Sequence, residues 1–426
     1  MMKEAFVRDM QRELGEHEAA ELIEALDGEP VTSIRLNDRK TGNPICALGE
    51  EVAWCRWGKY IDERPNFATD PLFHCGGYYV QEASSMYLWS MLEKYVSKDA
   101  LIIDCCAAPG GKSTLIAQYL TEGEGFVVSN EFVAKRANVL AENMIKWGYP
   151  NMVVTNNAVS HFENAGAIFD CVVVDAPCSG EGMFRKDHNA REEWSEENVD
   201  MCVDRQREIL RSAVRLAKEG GILIYSTCTF NRRENEENAE WVASEFDFDI
   251  LEQRHFYPHR DRGEGLYMAV LRCDEYGKVG KGGKKSSLKI LKDRAEWLKN
   301  PENYVLVEMN GQRYAVSRKW KETVENMIMC GVNIFAVGVQ YAEIKGKEWI
   351  PAAGLALSQV VDEDRFCIID VDYDMAMKYL RCETIISDNG GRGIMMVRYK
   401  GHPLGWVKNV GNRCNNMYPT YWRVRC

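Results

Sequence analysis

The strongest constraint on this chain is a regular alternation between about residues 100 and 230, where short apolar runs are separated by stretches of helical period. The runs Leu101–Ile103, Phe126–Val128, Met152–Val154, Cys171–Val174 and Ile222–Tyr225 have the length and composition of buried strands. Helical stretches fit between most of them: Lys112–Leu120, Val133–Trp147 and Asn198–Ala217. Each is followed by a glycine stop, at Gly123, Gly148 and the Gly220-Gly221 pair. Strands and helices in this order predict an α/β fold, a parallel sheet wound with helices. In open sheets of that kind ligands bind outside the carboxyl ends of the strands, so the residues just past those ends are the first functional candidates.

Those positions hold Asp104 to Lys112 (DCCAAPGGK), Glu131, Asn157, Asp175 to Gly180 (DAPCSG) and Ser226 to Thr229 (STCT). The first loop joins a strand to a helix through Gly110 and Gly111, which lets backbone N–H groups approach an anionic or polar ligand. It is not a Walker A loop, which needs a glycine where this chain has Cys106. Glu131 stands 21 residues after Gly110, the spacing at which a carboxylate accepts the hydroxyls of a ribose. A ribose site without a triphosphate cradle, and without a G-x-G-x-x-G pattern, points to S-adenosylmethionine ahead of a dinucleotide.

Two cysteines sharpen that reading. Cys178 follows Asp175-Ala176-Pro177 at one strand end and Cys228 follows Tyr225-Ser226-Thr227 at another, so a parallel sheet opens both into one cleft. A thiol beside a methyl donor suits pyrimidine C5 methylation, because C5 of cytosine is a poor nucleophile until a thiolate adds at C6. A base must then remove the C5 proton and the thiol must leave, so a second acidic group nearby is useful, as is Asp175 to protonate or hydrogen-bond N3 of the ring.

The rest of the chain sets the context. With 46% hydrophobic and 27% charged residues it is neither disordered nor low in complexity. No run approaches the ~18 apolar residues of a membrane span, and Met1-Met2-Lys3-Glu4 leads into acidic, amphipathic sequence where a signal peptide would be apolar. The 15 cysteines are odd in number, scattered from Cys46 to Cys426 and never spaced C-x-x-C, which fits neither a disulfide framework nor a zinc ribbon. Free thiols favour a reducing compartment, the cytoplasm. His161, His188, His255 and His259 lack metal-ligand spacing, so no metal is expected.

The net charge of −11 conceals two opposite halves. Residues 278–426 hold 24 Lys+Arg against 16 Asp+Glu, net +8, leaving 29 against 48, net −19, for residues 1–277. Positions 391–426 carry seven basic residues and no carboxylate, interleaved with Tyr399, Trp406, Tyr418, Tyr421 and Trp422. Basic groups neutralise phosphates and aromatics stack on unpaired bases, so this tail is a candidate RNA-binding region. Lys278 to Ser287 (KVGKGGKKSS) has linker composition. The expected organisation is a small N-terminal α+β RNA-recognition domain at 1–95, a catalytic domain at 96–275, a linker at 276–288 and an RNA-binding region of two small modules at 289–426.

Taken together, Asp104 to Lys112, the block Asp175-Ala176-Pro177-Cys178-Ser179-Gly180-Glu181-Gly182-Met183-Phe184-Arg185-Lys186, and Ser226-Thr227-Cys228-Thr229 resemble the RNA cytosine-5 methyltransferases of the Nol/Nop/Sun type, in order and in spacing. The flanking segments Gly77 to Met86, Arg205 to Leu210 and Glu234-Asn235-Glu236 resemble the same family, so the likeness covers about residues 30–275. It implies a class I, Rossmann-like S-adenosylmethionine methyltransferase in which Cys228 is the nucleophile on C6 and Cys178 assists release of the methylated base. It further implies that Cys106, Ala107, Ala108, Pro109, Gly110, Gly111 and Lys112 wrap the cofactor, and that Glu131 holds its ribose with Arg136 in the same shell. Asn157 then borders the adenine, at a position where the family more often has aspartate, and Asp175 lies near methyl donor and base.

The segments Pro351 to Leu357, Lys378 to Arg381, His402 to Trp406 and Asn415 to Pro419 resemble the C-terminal extension of bacterial members acting on 16S ribosomal RNA, the last module being PUA-like. Three rivals are distinguishable. A transfer RNA methyltransferase would keep the catalytic residues and change the docking domains; a DNA cytosine methyltransferase would make Cys178 the nucleophile; an inactive RNA-binding ribosome assembly factor would not need both cysteines.

Overall fold

The computed structural model describes residues 2–274, 288–346, 348–386, 391–411 and 413–425, so the linker expected from Lys278 to Ser287 lies outside the described residues. At its centre is an eight-stranded sheet. Its strands, in spatial order, are Phe248–Phe256, Leu266–Cys273, Ala217–Thr227, Phe169–Asp175, Leu101–Asp104, Phe126–Asn130, Met152–Thr155 and Ile334–Val337. The five strands expected from the apolar runs are all present and mutually parallel. The Leu101 strand lies at the middle, with Asp104, Asn130, Thr155, Asp175 and Thr227 at carboxyl ends of the five.

Both faces of the sheet are covered, which is why its strands read as continuous apolar runs. Ile102, Val127, Val154, Val173 and Ile224 enter one core, with the helices Gly111–Leu120 and Ala134–Trp147. Ile103, Val128, Val153, Val172 and Leu223 enter the other, with the helix Glu196–Ala213.

Helix ends depart from expectation in two places. The helix Ala134–Trp147 ends at left-handed Gly148, as anticipated, but Gly111–Leu120 is capped by Thr121 and not by Gly123. The third helix stops at Ala213, four residues early, and runs through a 3-10 turn (Val214–Leu216) into a strand that begins at Ala217. Gly220 and Gly221 therefore sit inside the strand, where Gly220 takes a φ of 70° that would strain any other residue.

Two helices, Glu4–Leu14 and Glu16–Leu26, pack on the catalytic body, with the Phe6 ring 5.1 Å from Phe184 and 5.7 Å from Trp194. A four-stranded antiparallel sheet follows: Glu51–Val52, Cys55–Ile61, Thr32–Leu36 and Tyr78–Val80. Its fully buried Arg35 reaches into the catalytic core, donating to Gln81 Oε1 (2.7 Å) and Thr114 Oγ1 (2.6 Å) and also bonding Gln118. Thr114 and Gln118 lie on the helix that starts at Gly111, so the N-terminal unit braces the first loop from behind.

The C-terminal region builds a five-stranded sheet from residues 289 to 351 and a four-stranded sheet from residues 367 to 416. Between the second and third longer strands of the five-stranded sheet, the chain contributes Ile334–Val337 to the catalytic sheet, antiparallel to Met152–Thr155.

Candidate active site

The carboxyl ends of the parallel strands open into a cavity of about 700 Å³, the size of a nucleoside with an amino-acid tail. Cys106, Ala108, Glu131, Arg136, Asn157, Asp175, Cys178 and Cys228 all line it. Ala107, Pro109, Gly110, Gly111 and Lys112 stand behind that lining. Gly110 caps the following helix in a left-handed conformation (φ 119°), and Ala107 N–H donates to Asn130 O at 2.8 Å, which fixes the loop against the neighbouring strand.

The two cysteines meet. Cys178 Sγ lies 3.1 Å from Cys228 Sγ, and the Cys228 N–H donates to Cys178 Sγ at 3.3 Å. The hydrogen bond to Cys228, and then burial, raise the Cys178 thiol well above its ordinary range. Their loops are joined by buried polar groups. Glu234 accepts from Ser179 N (2.9 Å), Gln206 Nε2 (2.7 Å) and Asn231 Nδ2 (2.7 Å), and also binds the Ser179 hydroxyl. Glu181 accepts from Phe230 N (2.8 Å), Asn231 N (3.0 Å) and Trp194 Nε1 (2.9 Å). Gly182 N–H donates to Cys228 O at 2.9 Å. A carboxylate with this many donors is fixed in place, and so are the loops it bridges.

Charge is arranged around Asp175. Its Oδ1 accepts from Ser226 Oγ and pairs with Lys112 Nζ, each at 2.8 Å. Burial alone would lower the Lys112 ammonium, but Asp175 holds it above its usual value. Asp104, fully buried, accepts from Ser113 Oγ at 2.7 Å. Burial chiefly, with the Asp175 charge, pushes Asp104 up to about 7.

At the other end of the cleft Glu131 accepts from Val133 N (2.8 Å) and lies 3.5 Å from Arg136, whose guanidinium also donates to Ala108 O (2.8 Å). The Asn157 side chain points to the C-terminal region: Nδ2 donates to Asn333 O (3.2 Å) and Oδ1 accepts from Asn333 N (3.0 Å). Sequence reasoning overlooked Phe132, and it read Arg205, Glu208 and Ile209 only as part of a flanking segment, whereas all four line the cleft. Phe132 had a usable signal: it directly follows Glu131, the carboxylate singled out by its spacing from Gly110, and it is 72% exposed at the cleft. A carboxylate with basic support at one end and two thiols at the other is a donor set that fits S-adenosylmethionine.

Among solved structures the chain resembles a methyltransferase homologue from Pyrococcus horikoshii (TM-score 0.56, 24% identity, 64% of this chain and 95% of that one). It also resembles NSun6 from Pyrococcus horikoshii, solved with SFG (TM-score 0.55, 20% identity, 64% and 98%). Fold and cleft together define a class I, Rossmann-like methyltransferase that uses S-adenosylmethionine. Residues 91–272 match the family described as 16S rRNA methyltransferase RsmB/F, residues 2–83 the N-terminal domain of 16S rRNA methyltransferase RsmF, and residues 367–424 the methyltransferase RsmF PUA domain. Ribosomal RNA small subunit methyltransferase F of Vibrio vulnificus is 30% identical over 448 residues, covering 91% of this chain and 90% of the relative. The protein of that name from Aeromonas salmonicida is 30% identical with the same coverage, and that from Aliivibrio salmonicida 27% identical with 98% and 97% covered. The chain belongs to the RsmB/F family of RNA methyltransferases.

Proposed function

We propose that this enzyme methylates C5 of a cytosine in RNA, with 16S ribosomal RNA as substrate, through addition of Cys228 to C6 and release assisted by Cys178. The observation that carries the reading is the 3.1 Å approach of two thiols from different strand ends inside one cleft. S-adenosylmethionine supplies the electrophilic methyl group. Glu131, supported by Arg136, holds the ribose, and Cys106 and Ala108 supply the part of the first loop that faces the cofactor, with the rest of the loop to Lys112 backing them.

Addition of the Cys228 thiolate to C6 moves the C5–C6 π pair onto C5, which becomes nucleophilic, and Asp175, once it carries a proton, donates it or a hydrogen bond to N3, where negative charge builds. Once C5 bears the methyl group it also bears a hydrogen. Loss of that proton to a base restores the C5–C6 double bond as the C6–S bond breaks and Cys228 leaves as thiolate. Cys178, still protonated, donates a hydrogen bond to the departing sulfur and so favours release.

The substrate must be unpaired or flipped out, since a stacked C6 is out of reach of a thiol. Docking falls to the C-terminal region. There Arg381, Arg423 and Arg425 line a surface cavity of about 590 Å³ with Cys382, Thr420 and Val424, and the adjacent Tyr421 is 75% exposed. Guanidinium groups bind phosphate oxygens and an exposed ring stacks on an unpaired base. We retain the division at 1–95, 96–275, 276–288 and 289–426 as a working one. The fourteen described cysteines are all free, in keeping with a cytoplasmic setting.

The test is methylation of 16S ribosomal RNA by wild type, Cys228→Ala and Cys178→Ala with labelled S-adenosylmethionine, reading 5-methylcytosine and covalent protein–RNA adducts together. The expected result is loss of product with Cys228→Ala and a trapped adduct with Cys178→Ala. Loss of product with Cys178→Ala alone would make Cys178 the nucleophile. RNA binding by wild type without labelling would favour a non-enzymatic assembly factor, and labelling of transfer RNA instead would move the substrate.

A further inference from the structure

Asn157 is the second residue past the strand Met152–Thr155 and, at 5% exposure, part of the cleft lining. Its main chain is fixed by Asn130, which accepts from Asn157 N (3.1 Å) and donates to Asn157 O (3.0 Å). Both polar atoms of its amide engage one backbone unit far along the chain, donating to Asn333 O and accepting from Asn333 N. Asn156 adds a third bond, its N–H donating to Asn333 O at 3.1 Å. The Asn156 side chain in turn donates to Glu131 O (2.7 Å) and Phe132 O (2.8 Å). Asn333 is thus linked by two residues to the turn that carries the ribose carboxylate.

Asn333 is itself held firmly. The strand that follows it pairs Ile334 with Thr155, Ala336 with Val154 and Val337 with Val153, and Gly338 N–H donates to Met152 O at 2.8 Å. Gly338 takes a φ of 57° where a Cβ would stand 2.2 Å from Ala315 O, so the backbone there has one course. This segment comes from the C-terminal region and stands behind the cleft lining, which it meets through Asn157.

We propose that Asn157 is a positioning residue through which Asn333 and its strand shape the cofactor site, so that affinity for S-adenosylmethionine depends on the C-terminal region. The inference rests on reading the cleft as the cofactor site. It also accounts for asparagine at this position: an amide both donates to a carbonyl and accepts from an N–H, whereas a carboxylate only accepts and would face Asn333 O with a lone pair.

The test compares the full-length wild type, Asn157→Asp, Asn157→Ala and Asn333→Ala for binding of S-adenosylhomocysteine by calorimetry, for methylation at saturating cofactor and for thermal midpoint. Asn157→Asp weakens binding about tenfold and raises the cofactor KM to match, with kcat at saturation and RNA affinity unchanged. Asn157→Ala gives a smaller loss. Asn333→Ala, which keeps the backbone groups in use, binds as wild type. Equal affinity of Asn157→Asp and wild type, or a lowered thermal midpoint with affinity intact, overturns the proposal; should Asn157→Asp fail to fold, Asn157→Ala carries the same comparison. A wild type that binds no S-adenosylhomocysteine overturns instead the reading of the cleft.

Discussion

Lys112 Nζ lies 2.8 Å from Asp175 Oδ1, a bridge from the helix after the first loop to the strand end that carries Cys178. The lysine is nearly enclosed, so its removal leaves the Asp175 charge without its cation, close to the buried Asp104. Lys112→Met is expected to lower kcat at least tenfold, while RNA affinity in a filter-binding assay changes less than about twofold. Removing one partner of a buried pair costs about 3–5 kcal/mol, and the partial exposure of Asp175 places this case below that range.

The clamp on Glu234 sets a second expectation. Glu234→Gln replaces one acceptor oxygen by a donor among Ser179, Gln206 and Asn231, all of which donate to it. Denaturant unfolding is expected to register a loss of about 2–3 kcal/mol. Activity should fall further than stability explains, because the same carboxylate joins the two cysteine loops.

Asp104 gives a pH dependence with a definite sign. Its folded carboxyl titrates at about 7 against an ordinary value of 3.8, so it adds stability that is complete below the unfolded value and is lost as pH rises through 7. Thermal midpoints of wild type and Asp104→Asn measured from pH 4 to 8 should therefore diverge between 4 and 7. The wild type should fall relative to the variant across that window and run parallel to it above 7.

The arginine-lined cavity of the tail predicts a salt effect. Arg423→Ala and Arg425→Ala should each weaken RNA binding and reduce the slope of log affinity against log salt by about 0.7–0.9. Tyr421→Ala should weaken binding with the salt slope unchanged, since stacking releases no counterions. For all three, kcat at saturating RNA should stay within about twofold of wild type.

Phe132 offers a fifth measurement. A ring left 72% exposed at the mouth of the cleft is positioned to cover a bound aromatic group. Phe132→Ala is expected to raise the cofactor KM about fivefold, in line with ~1 kcal/mol for an aromatic pair.

The cleft was legible because the residues expected in it sit at the ends of apolar runs, and those runs fix the strands. Cys178 and Cys228 could be brought together from spacing alone, since the parallel register that sets Asp175 beside Ser226 follows from the α/β alternation. The hairpin Phe248–Phe256 and Leu266–Cys273 was not legible: Glu252, Gln253 and Arg254 interrupt its first strand, which is only half buried. Gly220 and Gly221 looked like a helix stop because glycine marks both a stop and a kinked strand, and only the fold decides between them. Glu234 read as part of a helix flank, and nothing local announced a buried acceptor. Asn333 was invisible for a different reason, since its contribution is made by its peptide groups and leaves no trace in side-chain identity.

The antiparallel strand Ile334–Val337 also bears on how the chain is made. Synthesis is vectorial, and the ribosome delivers residue 334 sixty-one residues after the hairpin ends at Cys273. At about 5–20 residues per second, that interval is roughly 3 to 12 seconds during which the edge at Met152–Thr155 has donors and acceptors but no neighbour. The nascent enzyme thus carries an adhesive border until translation reaches its own cover, and a chain cut short before residue 334 would keep that border for good.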